Sequence, residues 1–169
     1  KQPELRELAV TKLPATLVDF QSIAARDISP AVQAAALRRI SKKSALPLLF
    51  ERLKSTDLFR QQAARQGLRQ TLTDKELTEY FSHNEAEVRL AVILLLKEST
   101  SPPVDSLLKQ ALKDENPMVR FVAVEWIGRD QLKSFRKTLI SDLASKATTP
   151  ELLKAYLAAI AQLEGVMKD

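Results

Sequence analysis

The chain has 169 residues, 45% apolar and 28% charged, with 5% aromatics, three Gly and eight Pro. That balance supports a folded core and argues against both disorder and an aromatic, Gly-turn-rich β fold. Net charge is +5 and there is no Cys, which excludes disulfides, thiolate nucleophiles, Cys-based zinc sites and covalent c-type haem attachment. No apolar run, the one containing Ala91–Leu96 included, approaches the ~20 residues a membrane-spanning helix needs, and no basic-then-apolar leader is visible. Insertion into a membrane is therefore not expected. The first residue is Lys1 and not Met, so a piece of a longer protein is expected.

Helical spacing and stop signals predict five helix pairs and a final single helix. The first pair covers 3–12 with 15–25, and the second 30–41 with 45–54. Ser44 reads as an N-cap there, with Pro47 in the first turn. The third pair covers 57–70 with 73–82, where Thr73 and Glu76 form a capping box. The fourth covers 85–98 with 103–113, and its apolar run Ala91–Leu96 predicts a central helix covered on both sides. The fifth covers 117–127 with 131–145, and the last helix runs over 150–163. Gly128 and Gly165 are placed just past helix ends, where glycine takes the left-handed conformation.

The pairs repeat. Leu5, Val32, Phe59, Val88, Val119 and Leu152 recur at spacings of 27, 27, 29, 31 and 33 residues. Pro lies two before four of these anchors (Pro3, Pro30, Pro117, Pro150), where a fixed φ and a missing N–H suit the first helical turn. Ala lies four after four of them (Ala9, Ala36, Ala63, Ala123), on the anchor's own face, letting a neighbouring helix approach closely. Arg follows four of them (Arg6, Arg60, Arg89, Arg120) and is expected to pair with an acidic or carbonyl group of the adjacent repeat. Asp27 and Asp114, five before their anchors, are expected to open the turn between repeats or to cap its helix.

The segments Asp-Ile-Ser-Pro-Ala-Val-Gln-Ala-Ala-Ala (27–36) and Asp-Glu-Asn-Pro-Met-Val-Arg-Phe-Val-Ala (114–123) resemble the helix openings of HEAT and HEAT-like repeats. Gln33 and Leu153 stand where that pattern has Arg, and Lys54 and His83 where it has Asp. The resemblance implies an all-α fold, a right-handed α-solenoid of helical hairpins with about eleven helices. Its units run 1–26, 27–55, 56–83, 84–113 and 114–148, with a half-unit at 149–169, all within one domain. The stretch from Val119 through Trp126-Ile127-Gly128 to Tyr156-Leu157-Ala158-Ala159 and Leu163-Glu164-Gly165 is similar to the HEAT region of large planctomycete membrane-bound dehydrogenases. Those proteins join a propeller-like domain, HEAT repeats and a cytochrome c-like domain. That resemblance implies a connecting module, outside the cytoplasm, with the redox centre elsewhere in the parent.

Catalytic chemistry has little to stand on. The single histidine, His83, falls in a turn, and no Gly-rich phosphate loop, Gly-x-Ser-x-Gly elbow or EF-hand loop is present. The paired acids Glu85/Glu87 and Asp114/Glu115 fall at helix starts, where the dipole favours them. No catalytic, metal or cofactor-binding residue is expected. The aromatics Phe20, Phe50, Phe59, Phe81, Phe121, Phe135 and Trp126 read as core. Residues 1–56 carry ten Lys and Arg against five Asp and Glu, while the remainder is balanced. The excess centres on Arg38, Arg39, Lys42 and Lys43, readable as a solvated helix end or as a patch for an anion or partner. Outward positions on the second helices (Glu51, Lys75, Glu79, Lys109, Lys133 and Lys137 among them) are mixed in sign. The expected function is a scaffold or linker contacting proteins or neighbouring domains, with self-association through 150–163. The alternative is a nucleic-acid binder of the DNA-glycosylase-like HEAT type, with Trp126, Arg129 and Asp130 as its pocket.

Overall fold

The computed structural model describes residues 2–99 and 104–165, which are all-helical with no strand among them. The predicted helix start at Pro103 and the tail Val166–Asp169 lie outside the described residues. The chain divides into two compact units, Lys1–Tyr80 and Phe81–Asp169. The first contains α1 (Pro3–Lys12), α2 (Phe20–Arg26), α3 (Pro30–Leu37), α4 (Leu46–Leu53), α5 (Leu58–Thr71) and α6 (Asp74–Tyr80). The second contains α7 (Ala86–Lys97), α8 (Val104–Ala111), α9 (Pro117–Arg129), α10 (Arg136–Lys146) and α11 (Pro150–Glu164).

Each unit shows the same packing. The first helix of a pair lies against both helices of the pair before it: α3 on α1 and α2, α5 on α3 and α4, α9 on α7 and α8, α11 on α9 and α10. The anchors explain why. Val32, Val88, Val119 and Leu152 each occupy the third helical position and are buried. Pro fills the first position of α1, α3, α9 and α11, and Ala36, Ala63 and Ala123 are fully buried one turn on. The run Ala91–Leu96 is buried except at Leu94.

Two anchors behave differently from expectation. Phe59 is 76% exposed. Asp57 caps α5 through Phe59 N (2.9 Å) and Arg60 N (3.3 Å), which puts Phe59 at the second helical position and turns it off the buried face. Leu5 holds the third position of α1 yet is 61% exposed, because α1 packs on α3 by its opposite side, with Val10 buried. Other boundaries shift for local reasons. Asp19 caps α2 at Ser22 N, so residues 15–19 form a loop and the helix starts five residues later than expected. Ser44 caps nothing; it lies in a 3₁₀ turn, Lys43–Ala45, that leads into α4. Gly165 is left-handed as expected (φ 71°), whereas Gly128 lies within α9.

Gly128 and Gly67 both mark close helix crossings. A Cβ on Gly128 would strike Gln162 and approach Ala159 Cα of α11 to 2.9 Å. On Gly67 in α5 it would stand 2.5 Å from Leu37 O and 2.8 Å from Leu49 Cδ2. Carbonyl oxygen is backbone and cannot yield without moving α3. Gly67→Ala is therefore expected to lower stability by ~1–3 kcal/mol despite alanine's higher helix propensity, as read by urea denaturation.

The Arg column forms latches between successive pairs. Arg6 makes a two-pronged bond to Asp27 (2.9 and 3.0 Å), and Asp27 also accepts Ser29 N–H at 2.8 Å. The Arg6 guanidinium, with that amide, holds the Asp27 carboxyl below the usual carboxylate range. Arg89 repeats the geometry on Asp114 (2.7 and 2.8 Å), which accepts Asn116 N–H at 2.8 Å, and adds bonds to His83 O and Asn84 O. Arg120 spans its own turn at Asp114 O (2.7 Å) and the next at Thr148 Oγ1 (2.9 Å). Gln33, in the place of Arg, donates to Asp27 O at 2.5 Å and accepts from Arg60 at 3.3 Å. Each latch satisfies turn groups that would otherwise be unpaired.

Candidate functional site

The basic cluster follows α3. Its four cations have separate fates. Arg39 folds back over the Phe20 ring (4.6 Å) and donates through Nη1 to the carbonyls of Val10, Thr11 and Leu13 at 2.6, 3.1 and 2.7 Å. Those are the free carbonyls at the end of α1, where a cation is favoured by the helix dipole. Arg39 is thus a cap on another helix. Lys43 pairs with Glu76 at the start of α6. Arg38 is the C-cap residue of α3 and half-buried, and Lys42 is exposed; neither side chain forms a hydrogen bond or ion pair among the described residues.

Glu76 completes the capping box, accepting Thr73 N–H at 3.0 Å while Thr73 Oγ1 faces Glu76 N at 3.4 Å. The Lys43 ammonium, followed by the Thr73 amide and hydroxyl, pulls the Glu76 carboxyl down from 4.5 to about 2. The folded state therefore favours ionised Glu76. Its contribution is present above the unfolded value and is lost as the pH falls through about 2. Glu76→Gln is expected to flatten the acid-side loss of stability between pH ~5 and ~2, measured as urea midpoints.

Arg39 and Lys42 border a groove of about 600 Å³. Its other wall is the loop between α1 and α2, with Thr16, Leu17 and Asp19, and its floor includes Phe20, Ser41 and Ser44. Leu17 is 73% exposed. Sequence patterning missed this wall because it extended α2 back to residue 15; Pro14 and the capping Asp19 were the available signals for a loop.

A second groove of about 700 Å³ lies between α9 and α11 over Gly128, Ala155 and Ala158, rimmed by Glu125, Arg129, Glu151 and Lys154. Trp126 faces away from solvent, fully buried, with Nε1 donating to Asp130 Oδ2 at 2.8 Å. Asp130 also accepts from Arg129 at 2.7 Å, and Arg129 first, then Trp126, lowers its pKa. The aromatic-plus-carboxylate trio is assembled, but its ring has no open face for a base. Burial pushes the Tyr156 phenol up to about 12. His83 accepts Glu85 N–H through Nδ1 at 3.1 Å, a cap at the start of α7.

Among the described residues no group of three His, Asp or Glu side chains is placed to hold a metal ion, and no helix is long and apolar enough to cross a membrane. Glu51, Lys75, Glu79, Lys109, Lys133 and Lys137 on the second helices and their lead-in turns are exposed. On α11, Leu153 and Leu157 are exposed while Leu152, Tyr156 and Leu163 are buried. No protein-family model matches the chain, and no curated protein matches its sequence.

Proposed function

We propose that this chain is a non-catalytic HEAT-like module, a right-handed α-solenoid that contacts other proteins or neighbouring domains. The observation that carries the reading is the repetition inside each compact unit. A first helix packs on both members of the preceding pair, and an Arg or Gln one residue past the anchor latches adjacent turns. Nearest-neighbour stacking of this kind builds extended surfaces. The exposed charges of the second helices are mixed in sign, which suits a protein surface better than a polyanion. Within a parent of the dehydrogenase type, the module connects domains and carries no redox centre.

The competing nucleic-acid reading needs cations in register with phosphates and an aromatic platform. Arg39 and Lys43 are committed within the fold, and Trp126 is buried. Binding of labelled duplex DNA across a salt series tests the choice. The scaffold reading predicts weak retention that vanishes at moderate salt. A slope approaching −0.9 per neutralised phosphate over several phosphates would favour the nucleic-acid reading.

A further inference from the structure

Helices α1 and α11 expose opposite halves of the contact that joins successive helix pairs. With each helix counted from its own first residue, α11 packs on the pair before it and buries its third position, Leu152. α1 packs mainly on α3, which follows it, and buries its eighth position, Val10. α3 and α9 have neighbours on both sides and bury both positions, Val32 with Leu37 and Val119 with Val124. The third-position side therefore faces the preceding pair and the eighth-position side the following one. On α1 the side for a preceding pair is open, with Leu5 61% and Leu8 54% exposed. On α11 the side for a following pair is open, with Leu153 41% and Leu157 52% exposed.

We propose that these two faces mate between copies of the chain: the open side of α11 in one copy receives the open side of α1 in the next. The proposal rests on the reading of the chain as stacked helix pairs and names a second copy as the partner of both surfaces.

The covered helices show how such faces look when occupied. Leu8 is the sixth residue of α1, the place of Ala35 in α3 and Val122 in α9, and both of those are buried. Leu153 holds the fourth place of α11, where α1, α7 and α9 carry the latching Arg. Leucine there makes the open side of α11 apolar and leaves no guanidinium in need of an acidic turn.

Charge order points to a copy as the occupant. The bonds Arg6–Asp27 and Arg120–Thr148 set the start of one first helix beside the start of the next, so these helices run parallel. Along its open side α1 carries an acid and then a base, Glu4 and Lys12, both exposed. Flanking its own open side α11 carries a base and then an acid, Lys154 and Glu164, also exposed. Their separations along the helices are about 12 and about 15 Å, so parallel stacking sets each charge near its opposite. Glu164 already pairs with Arg136 of its own unit, which makes Glu4 with Lys154 the principal match.

The test is sedimentation velocity of the full chain from ~10 μM to ~1 mM, the range of weak contacts. Weight-average mass is expected to rise about twofold or more, since each copy carries both faces and assembly continues or closes into a ring. Leu5→Glu with Leu8→Glu, and separately Leu153→Glu with Leu157→Glu, are each expected to stay monomeric. Mixed in equal amounts, the two variants should form particles of two chains and no larger, because each keeps the face that the other has lost. Leu5→Ser with Leu8→Ser and Leu153→Ser with Leu157→Ser, checked for native circular dichroism, give the same reading without introduced charge. A variant that associates by itself as the unaltered chain does overturns the proposal and marks a symmetric contact between like faces. A mixture that stays monomeric overturns it as well. So does a monomeric unaltered chain, which leaves the two faces to other proteins. None of these results bears on the packing inside each unit; the stacked-pair reading falls only if removal of residues 1–26 abolishes helix in the remainder.

Discussion

Val119→Asp is expected to unfold the chain or to lower its stability by ~3 kcal/mol or more. Val119 is fully buried at the third position of α9, on the helix that packs against α7, α8 and α11. A carboxylate there must either lose its water or push the helices apart, and the neighbouring Arg120 has both terminal nitrogens engaged by Asp114 O, Glu115 O and Thr148, with only its buried Nε left over. Leu157→Asp on exposed α11 surface is the matched control and should change stability by less than about 1 kcal/mol. Urea denaturation followed by circular dichroism separates the two. Similar small effects for both would mean that the anchor column does not define the buried face.

The second large effect is expected at Arg89. Its guanidinium holds both oxygens of Asp114, whose side chain is only 5% exposed, and satisfies two further turn carbonyls. Arg89→Ala leaves that carboxylate with the Asn116 amide alone, and removing one partner of a largely buried pair costs ~2–4 kcal/mol. The double variant Arg89→Ala with Asp114→Asn removes the stranded charge and should recover part of the loss. Arg6→Ala breaks the equivalent latch where both partners are more exposed, so a smaller drop is expected. An Arg6 effect as large as that of Arg89 would argue that the latches act otherwise than by satisfying buried charge.

The helices were legible in the sequence because their signals are local. Pro at the first position, the Thr73–Glu76 box and the Val anchors all act within one or two turns, and the helix predicted at 73–82 is α6. The Arg column was legible as well, since Arg recurs one residue past the anchors. Its partners were less so, because Arg6 and Arg89 reach 21 and 25 residues ahead while Arg60 pairs with Asp57 of its own turn. Phe59 was not, because one residue fewer between cap and anchor turns the side chain from core to solvent, and spacing between repeats does not register that slip. The groove was legible only in part. Arg38, Arg39, Lys42 and Lys43 stood out as a charge run, but their separate roles depend on partners far along the chain. Arg39 reaches back 26 to 29 residues to the end of α1, and Lys43 reaches forward 33 to Glu76. No composition or periodicity carries that information.

The most direct measurement of the stacked-pair account is removal of the first pair. In the full chain α3 is covered by α1 and α2, and the latch from Arg6 ends on Asp27. Within each unit the first helix of a later pair packs on the pair before it, so the chain Asp27–Asp169 should retain the helical circular dichroism of its remaining helices. Its urea midpoint should be lower, reflecting loss of one nearest-neighbour interface. Complete loss of helix in Asp27–Asp169 would contradict the account, because it would show that the pairs are held by a closed, long-range core and not by the pairs beside them.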